Sequence, residues 1–245
     1  MVINVHGGHN RIVPGASGYL DEVTEDRAVT AQVIAKLRAL GHTVFDCTDD
    51  SGRTQGQNLA NIVHACNAHA ADLDVSIHLN SGGGTGTEVL VYSDTGAAAG
   101  YAVKICAAIS ELGYRNRGVK ERKNLYVLRH TTAPALLVEC CFVDSAADAQ
   151  RFDADKMAAA IVRGITGQTA AQTGAAPAQQ TGYHVRITAS ILNVRRDHSA
   201  SSAVATQVRR GEVYTIVDEY NNGGTLWGKL KSGAGWIALK YTQSV

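Results

Sequence analysis

The run ALLVECCF (135–142) constrains the fold more than any other stretch, because it is apolar throughout except for Glu139. It is too short for a typical helix and follows Pro134, so it reads as a strand. A strand without polar alternation is buried on both faces, and doubly covered sheets are mainly parallel with helices as the cover. A carboxylate inside such a strand is costly unless a cation pairs with it or a proton neutralises it. Glu139 therefore either meets an arginine or faces a metal-bound water as a base.

The rest of the first two thirds supplies the matching elements. Val2-Ile3-Asn4-Val5 alternates as a strand and stops at His6-Gly7-Gly8, where the glycines allow a sharp turn. Val29, Val33, Leu37 and Leu40 recur at helical spacing, giving a helix over 22–40 that Gly41 ends. A strand over 42–47 and a helix marked by Leu59, Ile62, Val63 and Cys66 follow. LDVSIHL (73–79) alternates cleanly, with Asp74, Ser76 and His78 on one face. Strands over 86–92 and 124–129, a helix from Ala98 to Leu112, and a last helix with Asp153 as its N-cap complete the series. Such alternation predicts an α/β domain around a mainly parallel, twisted sheet with flanking helices.

Two of these strands end in histidines. If they lie parallel, His6 and His78 come to one edge of the sheet, the edge where ligands bind in open α/β folds. Glu22 stands at the start of the first long helix. Two imidazoles and one carboxylate form the ligand set of a catalytic zinc site with an open fourth position. The spacing contains no compact HExxH, so the set rests on the fold bringing distant residues together.

Composition bounds what else the chain can be. At 245 residues, with 45% hydrophobic and 18% charged, it can build a sizeable core. No apolar run reaches the roughly 18 residues of a membrane span, and no secretory signal is visible. The reading is a protein made in the cytoplasm, with five cysteines as free thiols. Residues 1–166 hold 15 Lys+Arg against 18 Asp+Glu, and residues 181–245 hold 8 against 4. Between them GQTAAQTGAAPAQQ (167–180) has no charge and no large apolar side chain, a flexible-linker composition. Residues 181–245 read as a small all-β domain of short alternating runs. At least one of its tryptophans, Trp227 and Trp236, is expected in the core. Its positive excess suits an anionic partner, while a nucleic-acid stacking motif is absent.

The blocks VxVHGGH…GASGYLDE, DLDVSIHLNSGGGTGTEVLVYS and NRGVKERKNLYVLRHTTAPALLVECCF, in that order, resemble the zinc-dependent N-acetylmuramoyl-L-alanine amidases of the amidase-3 type. They are similar to the catalytic domains of clostridial phage endolysins and related autolysins. The resemblance covers residues 1–166. It implies a peptidoglycan hydrolase that cuts the amide between N-acetylmuramic acid and L-alanine of the stem peptide, with a zinc-bound water as nucleophile. It implies His6, Glu22 and His78 as Zn2+ ligands and Glu139 as the catalytic carboxylate. The chain departs from the wider pattern at DCTDDSGRTQGQN, where many members carry arginines, and at Cys140, where a glycine is usual. The run ILNVRRDHSASSAVATQVRRGEVYTIVDEY…WGKLKSGAGWIALKYT resembles a bacterial SH3-type domain, which implies cell-wall binding. Action on the wall would then follow release by phage or cell lysis, with no nucleic acid or membrane as partner. The competing readings are a cell-wall cysteine peptidase using Cys140 or Cys141 and a non-catalytic wall-binding protein.

Overall fold

A computed structural model describes residues 1–168, 183–222 and 225–244. The chain divides into two units, Met1–Gly174 and Ala175–Val245. Most of the linker expected over 167–180 lies outside the described residues.

The first unit contains β1 (Val2–Gly7), α1 (Glu22–Ala39), β2 (Thr43–Asp46), α2 (Gln55–Asn67), β3 (Leu73–Asn80), β4 (Thr87–Val91) and α3 (Ala99–Ser110). It continues with β5 (Asn116–Glu121), α4 (Tyr126–His130), β6 (Ala135–Phe142), α5 (Ala146–Arg151) and α6 (Ala154–Thr166). The six strands form one sheet in the order β2-β1-β3-β6-β4-β5. β2, β1, β3 and β6 are parallel neighbours, and β4 joins β6 antiparallel while running parallel to β5.

Both faces of β6 are covered, as its apolar run requires. On one side Leu136 and Val138 pack with Ile3, Val75 and Ile77 and with Val29, Val33, Ile105 and Ile161 from helices α1, α3 and α6. On the other, Leu137 joins Ile62, Val63 and Cys66 of α2 and Val127 and Leu128 of α4. The caps are local: the Asp21 carboxylate accepts from the Thr24 N–H at the start of α1, and Asp153 does the same for α6. Gly167, at φ 72°, ends α6 in the left-handed conformation.

One expected element changes type. Residues 124–129 are not a strand; Tyr126–His130 is the short helix α4. The place beside β4 is taken by β5, whose polar composition (Val119 is its one aliphatic residue) hid it. Five residues are also too few to separate the two periodicities, and Val127 and Leu128 bury equally well from a single helical turn.

The second unit is an antiparallel seven-stranded sheet of β7 (Tyr183–Ile187), β8 (Ile191–Arg195), β9 (Val204–Arg209), β10 (Val213–Asn222), β11 (Thr225–Leu230), β12 (Trp236–Ala238) and β13 (Thr242–Ser244). Its apolar centre is built from Val185, Ile187, Leu192, Val194, Val208, Ile216, Leu230 and Ile237. Trp227, 5% exposed, is buried as expected of at least one tryptophan, outside that cluster. Trp227 and Trp236 come from the opposite face of the strands, two residues apart in register on β11 and β12, with Trp227 against Ala238 and Lys229 against Trp236.

Candidate metal centre and catalytic carboxylate

The parallel pairing of β1, β3 and β6 brings their C-terminal ends to one edge, and the chemistry gathers there. Among the described residues, one group of side chains could hold a metal: His9, Glu22 and His78, with ligand atoms within 4.8 Å of one another. Glu22 Oε1 lies 3.1 Å from His78 Nδ1 and 3.7 Å from His9 Nε2. The two imidazoles meet edge-on, 5.3 Å between centroids.

Each of the three is fixed by its element. Glu22 is the first residue of α1, and its Oε2 accepts from the Ala16 N–H at 2.8 Å while Oε1 accepts from the Leu79 N–H at 3.2 Å. His78 points from the polar face of β3. His9 is in the loop after β1 at φ 48°, the one described non-glycine residue with positive φ. Two glycines make room: a Cβ on Gly8 would lie 1.9 Å from His78 Cε1, and one on Gly15 would lie 2.2 Å from Glu22 Oε2.

The structure brings a different histidine to Glu22 and His78 from the expected His6. His6 lies at the end of β1 but pairs in register with Ser76, one pleat short of His78. Its Nδ1 is 3.2 Å from the Gly7 carbonyl and 3.5 Å from Ser76 Oγ, and the residue is only 2% exposed. Burial pushes its pKa down to about 3, which keeps the imidazole neutral, and it lies outside the group of His9, Glu22 and His78 whose ligand atoms come together. The backbone has to turn through Gly7-Gly8 before an imidazole reaches the edge, and the second histidine of HGGH does so.

Charge at the centre follows from burial and pairing. Burial opposes the charge on Glu22, yet hydrogen bonds from His78 and the Ala16 N–H hold its carboxyl below the usual range. His78 is driven the other way: burial disfavours its charge, but Glu22 and Glu139 outweigh it and raise its pKa. His9 is lowered, first by burial and then by the neighbouring His78.

Glu139 sits beside this group. Its Cα is the register partner of His78 across β3 and β6, and of Glu88 across β6 and β4. Among the described residues no arginine pairs with it: Arg117 Nε pairs with Glu88 Oε2 at 2.8 Å, and Asn80 Nδ2 donates to Glu88 Oε1 at 3.1 Å. Glu139 Oε2 is buried without a hydrogen-bond partner. Burial pushes its pKa up to about 7, against the pull of His78 and with the repulsion of Glu22 and Glu88. The cysteines beside it are inert by the same physics. Cys140 and Cys141 are wholly buried in the strand, and burial raises both thiols, opposite to what a nucleophile needs.

The second unit presents a groove of about 620 Å3. Trp227, only 5% exposed, lies in it with Ile191, Asn193, Arg195, Lys240 and Tyr241. Its lining contains two cations and no acid.

These features have relatives. The chain is 31% identical over 209 residues to the sporulation-specific N-acetylmuramoyl-L-alanine amidase of Bacillus subtilis, covering 83% of this chain and 80% of that protein. It is 38% identical over 154 residues to an uncharacterized protein of Clostridium perfringens, covering 60% of this chain, and it spans only 45% of that relative's length. Its structure is similar to the catalytic domain of CD27L, an endolysin targeting Clostridia Difficile, with a TM-score of 0.64 at 26% identity, covering 69% of this chain and 98% of that one. Residues 1–167 match the Amidase_3 family, described as N-acetylmuramoyl-L-alanine amidase. A group of three side chains that could hold a metal, at the edge of a covered sheet, lies within the segment matched, and the chain belongs to the Amidase_3 family of N-acetylmuramoyl-L-alanine amidases.

Proposed function

We propose that the chain is a peptidoglycan hydrolase that cleaves the amide between N-acetylmuramic acid and L-alanine of the stem peptide. The observation that carries the reading is the partnerless, buried Oε2 of Glu139 in register beside a His9–Glu22–His78 group. Two imidazole nitrogens and one carboxylate are the donors that suit zinc and leave a position open. His9, Glu22 and His78 would hold the ion. A zinc ion there would supply Lewis-acid polarisation of the scissile carbonyl and a lowered pKa for water.

The chain's own residues do the rest. Glu139 Oε2 accepts a proton from the attacking water, and the same carboxyl then delivers it to the departing amide nitrogen. A carboxyl raised towards neutrality suits both transfers, since it neither holds the proton too weakly nor keeps it. Glu88, paired with Arg117 and hydrogen-bonded by Asn80, adds repulsion that supports this value.

For the second unit we infer an SH3-type, wall-binding role. The groove with Arg195, Lys240 and the exposed Tyr241 offers aromatic surface and positive charge together, which suits an anionic wall component. Mass spectrometry of purified peptidoglycan digested by the protein tests the activity. Free stem peptides with an N-terminal L-alanine are expected; reducing sugar ends or cleaved cross-links would replace the reading with a glycosidase or a peptidase. Chelation should abolish the release and zinc should restore it.

A further inference from the structure

We propose that Arg27 is a positioning residue of the metal centre, whose guanidinium holds the carbonyls of Gly8 and His9 and so presets the His9 imidazole against Glu22 and His78. The proposal rests on reading those three residues as metal ligands. Arg27 Nη1 donates to the Gly8 carbonyl at 2.8 Å and Nη2 to the His9 carbonyl at 2.7 Å. One planar fork thereby fixes two successive peptide units, which a point-charge ammonium cannot do. His9 needs such a hold. Its left-handed backbone is a conformation that a non-glycine residue keeps only when its surroundings over-determine it.

The fork is itself held from both sides. Asp26, wholly buried, accepts from Nη1 at 2.7 Å, and Asp50 accepts from Nη2 at 2.8 Å. Gly7 completes the fit, because a Cβ there would lie 2.2 Å from Nη1. Asp50 belongs to the segment DCTDDSG, the part of the chain whose residues the proposed chemistry leaves unused. Asp49 anchors that segment by accepting from the N–H groups of Ser51 and Gly52 and from the side chains of Asn58 and Asn61. The segment then reaches back to the histidine loop: Asn10 Nδ2 donates to the Gly52 carbonyl at 2.9 Å, and the Gly7 N–H donates to Thr48 Oγ1 at 3.2 Å. His9 is thus braced by Arg27 at its own carbonyl and by Asn10 one residue on. α1 contributes both a ligand, Glu22, and the brace, five residues later.

The test uses the full chain stripped of metal. Zinc affinity is measured by competition with a chromophoric chelator, and cobalt binding by its visible absorption, whose intensity reports tetrahedral geometry. Arg27→Ala should bind zinc about 10- to 100-fold more weakly, the usual cost of losing a partner that orients a ligand. Added guanidinium ion should restore part of the affinity, and methylammonium should not. Arg27→Lys should fall between, and Asp50→Asn should lose a few-fold. A residue that served only the fold would lower the thermal midpoint of the metal-free protein and leave affinity, cobalt spectrum and guanidinium response unchanged. That result overturns the proposal. If Arg27→Ala does not fold, wild-type affinity in both Arg27→Lys and Asp50→Asn overturns it instead. His78→Ala separates the two levels: should it bind zinc as tightly as the parent, the metal reading falls and takes this proposal with it. Should His78→Ala lose zinc while the Arg27 variants keep it, the proposal alone fails.

Discussion

His78 and Glu139 are register partners on the adjacent parallel strands β3 and β6, so an imidazole and a carboxyl 61 residues apart in sequence project from the same face of one sheet. The strand that buries Glu139 is therefore also the strand that aims it. On the proposed reading that relationship divides labour, with His78 in the group that could hold a metal and Glu139 outside it.

The division is measurable. Glu139→Ala should keep its zinc and lose about 10²- to 10⁴-fold in rate, the usual contribution of a general base. His78→Ala should lose metal and activity together. Metal content by atomic emission, run beside turnover, checks both, and a metal-free Glu139→Ala would move Glu139 into the ligand set.

The two histidines of HGGH should separate in the same assay. His9→Ala is expected to lose zinc, whereas His6→Ala should keep it and cost stability, roughly 1–3 kcal/mol, through lost packing and hydrogen bonding at a buried site. Equal metal loss in both variants would return His6 to the ligand set.

Gly15→Ala should damage the centre without adding or removing a ligand. The new methyl would overlap Glu22 Oε2 and crowd His9 Cδ2, 2.2 and 2.8 Å away. Weaker zinc binding with a folded far-ultraviolet spectrum is the expected result. Unchanged affinity would mean that the loop over 10–16 yields freely.

Stability of the metal-free protein should fall as pH rises through about 6. Burial pushes the Asp74 carboxyl up to about 6 from 3.8, with the Asn4 hydrogen bond pulling the other way. The folded state then holds the proton more tightly than the unfolded chain. The stabilisation is full below about pH 4 and lost above about pH 6, on the order of 2–3 kcal/mol. Asp74→Asn should flatten that slope and leave the acid side unchanged. Both tryptophans lie in the second unit, so circular dichroism rather than tryptophan fluorescence follows this transition. An identical slope in the variant would assign the effect elsewhere, with Glu139 and Asp26, each raised to about 7, as the next groups to test.

A chain ending at Gln168 should retain zinc and cleave small soluble muropeptides at the parent rate, while acting more slowly on intact walls. Tethering raises local concentration without a catalytic contact. The deficit should shrink with salt if Arg195 and Lys240 act by charge. Slower cleavage of soluble substrates would instead give the second unit a part in the chemistry.

Much of this was open to view in the sequence because periodicity and burial are local properties. The apolar run around Glu139 required a doubly covered strand, and the alternation in LDVSIHL placed His78 on a polar face; both features are found. The helix beginning at Glu22 was legible from its spacing and its glycine stop. Strand β5 and helix α4 were not, because a polar edge strand and a single helical turn carry too little pattern.

What the sequence alone determined, then, is the kind of fold and the residue types at its working edge, since hydrophobic pattern dictates which elements form and which faces bury. Which histidine joins Glu22 and His78 was decided only by tertiary structure. Register pairs His6 with Ser76, and a left-handed turn beyond two glycines carries His9 to the edge. Long-range pairing sets register, and the loop is held by Arg27, Asp50 and the Gly52 carbonyl that Asn10 bonds, all from other parts of the chain. Neither is written in local spacing. The same holds for Glu139: that its Oε2 keeps no hydrogen-bond partner while Arg117 pairs with Glu88 is set by pairing across three strands.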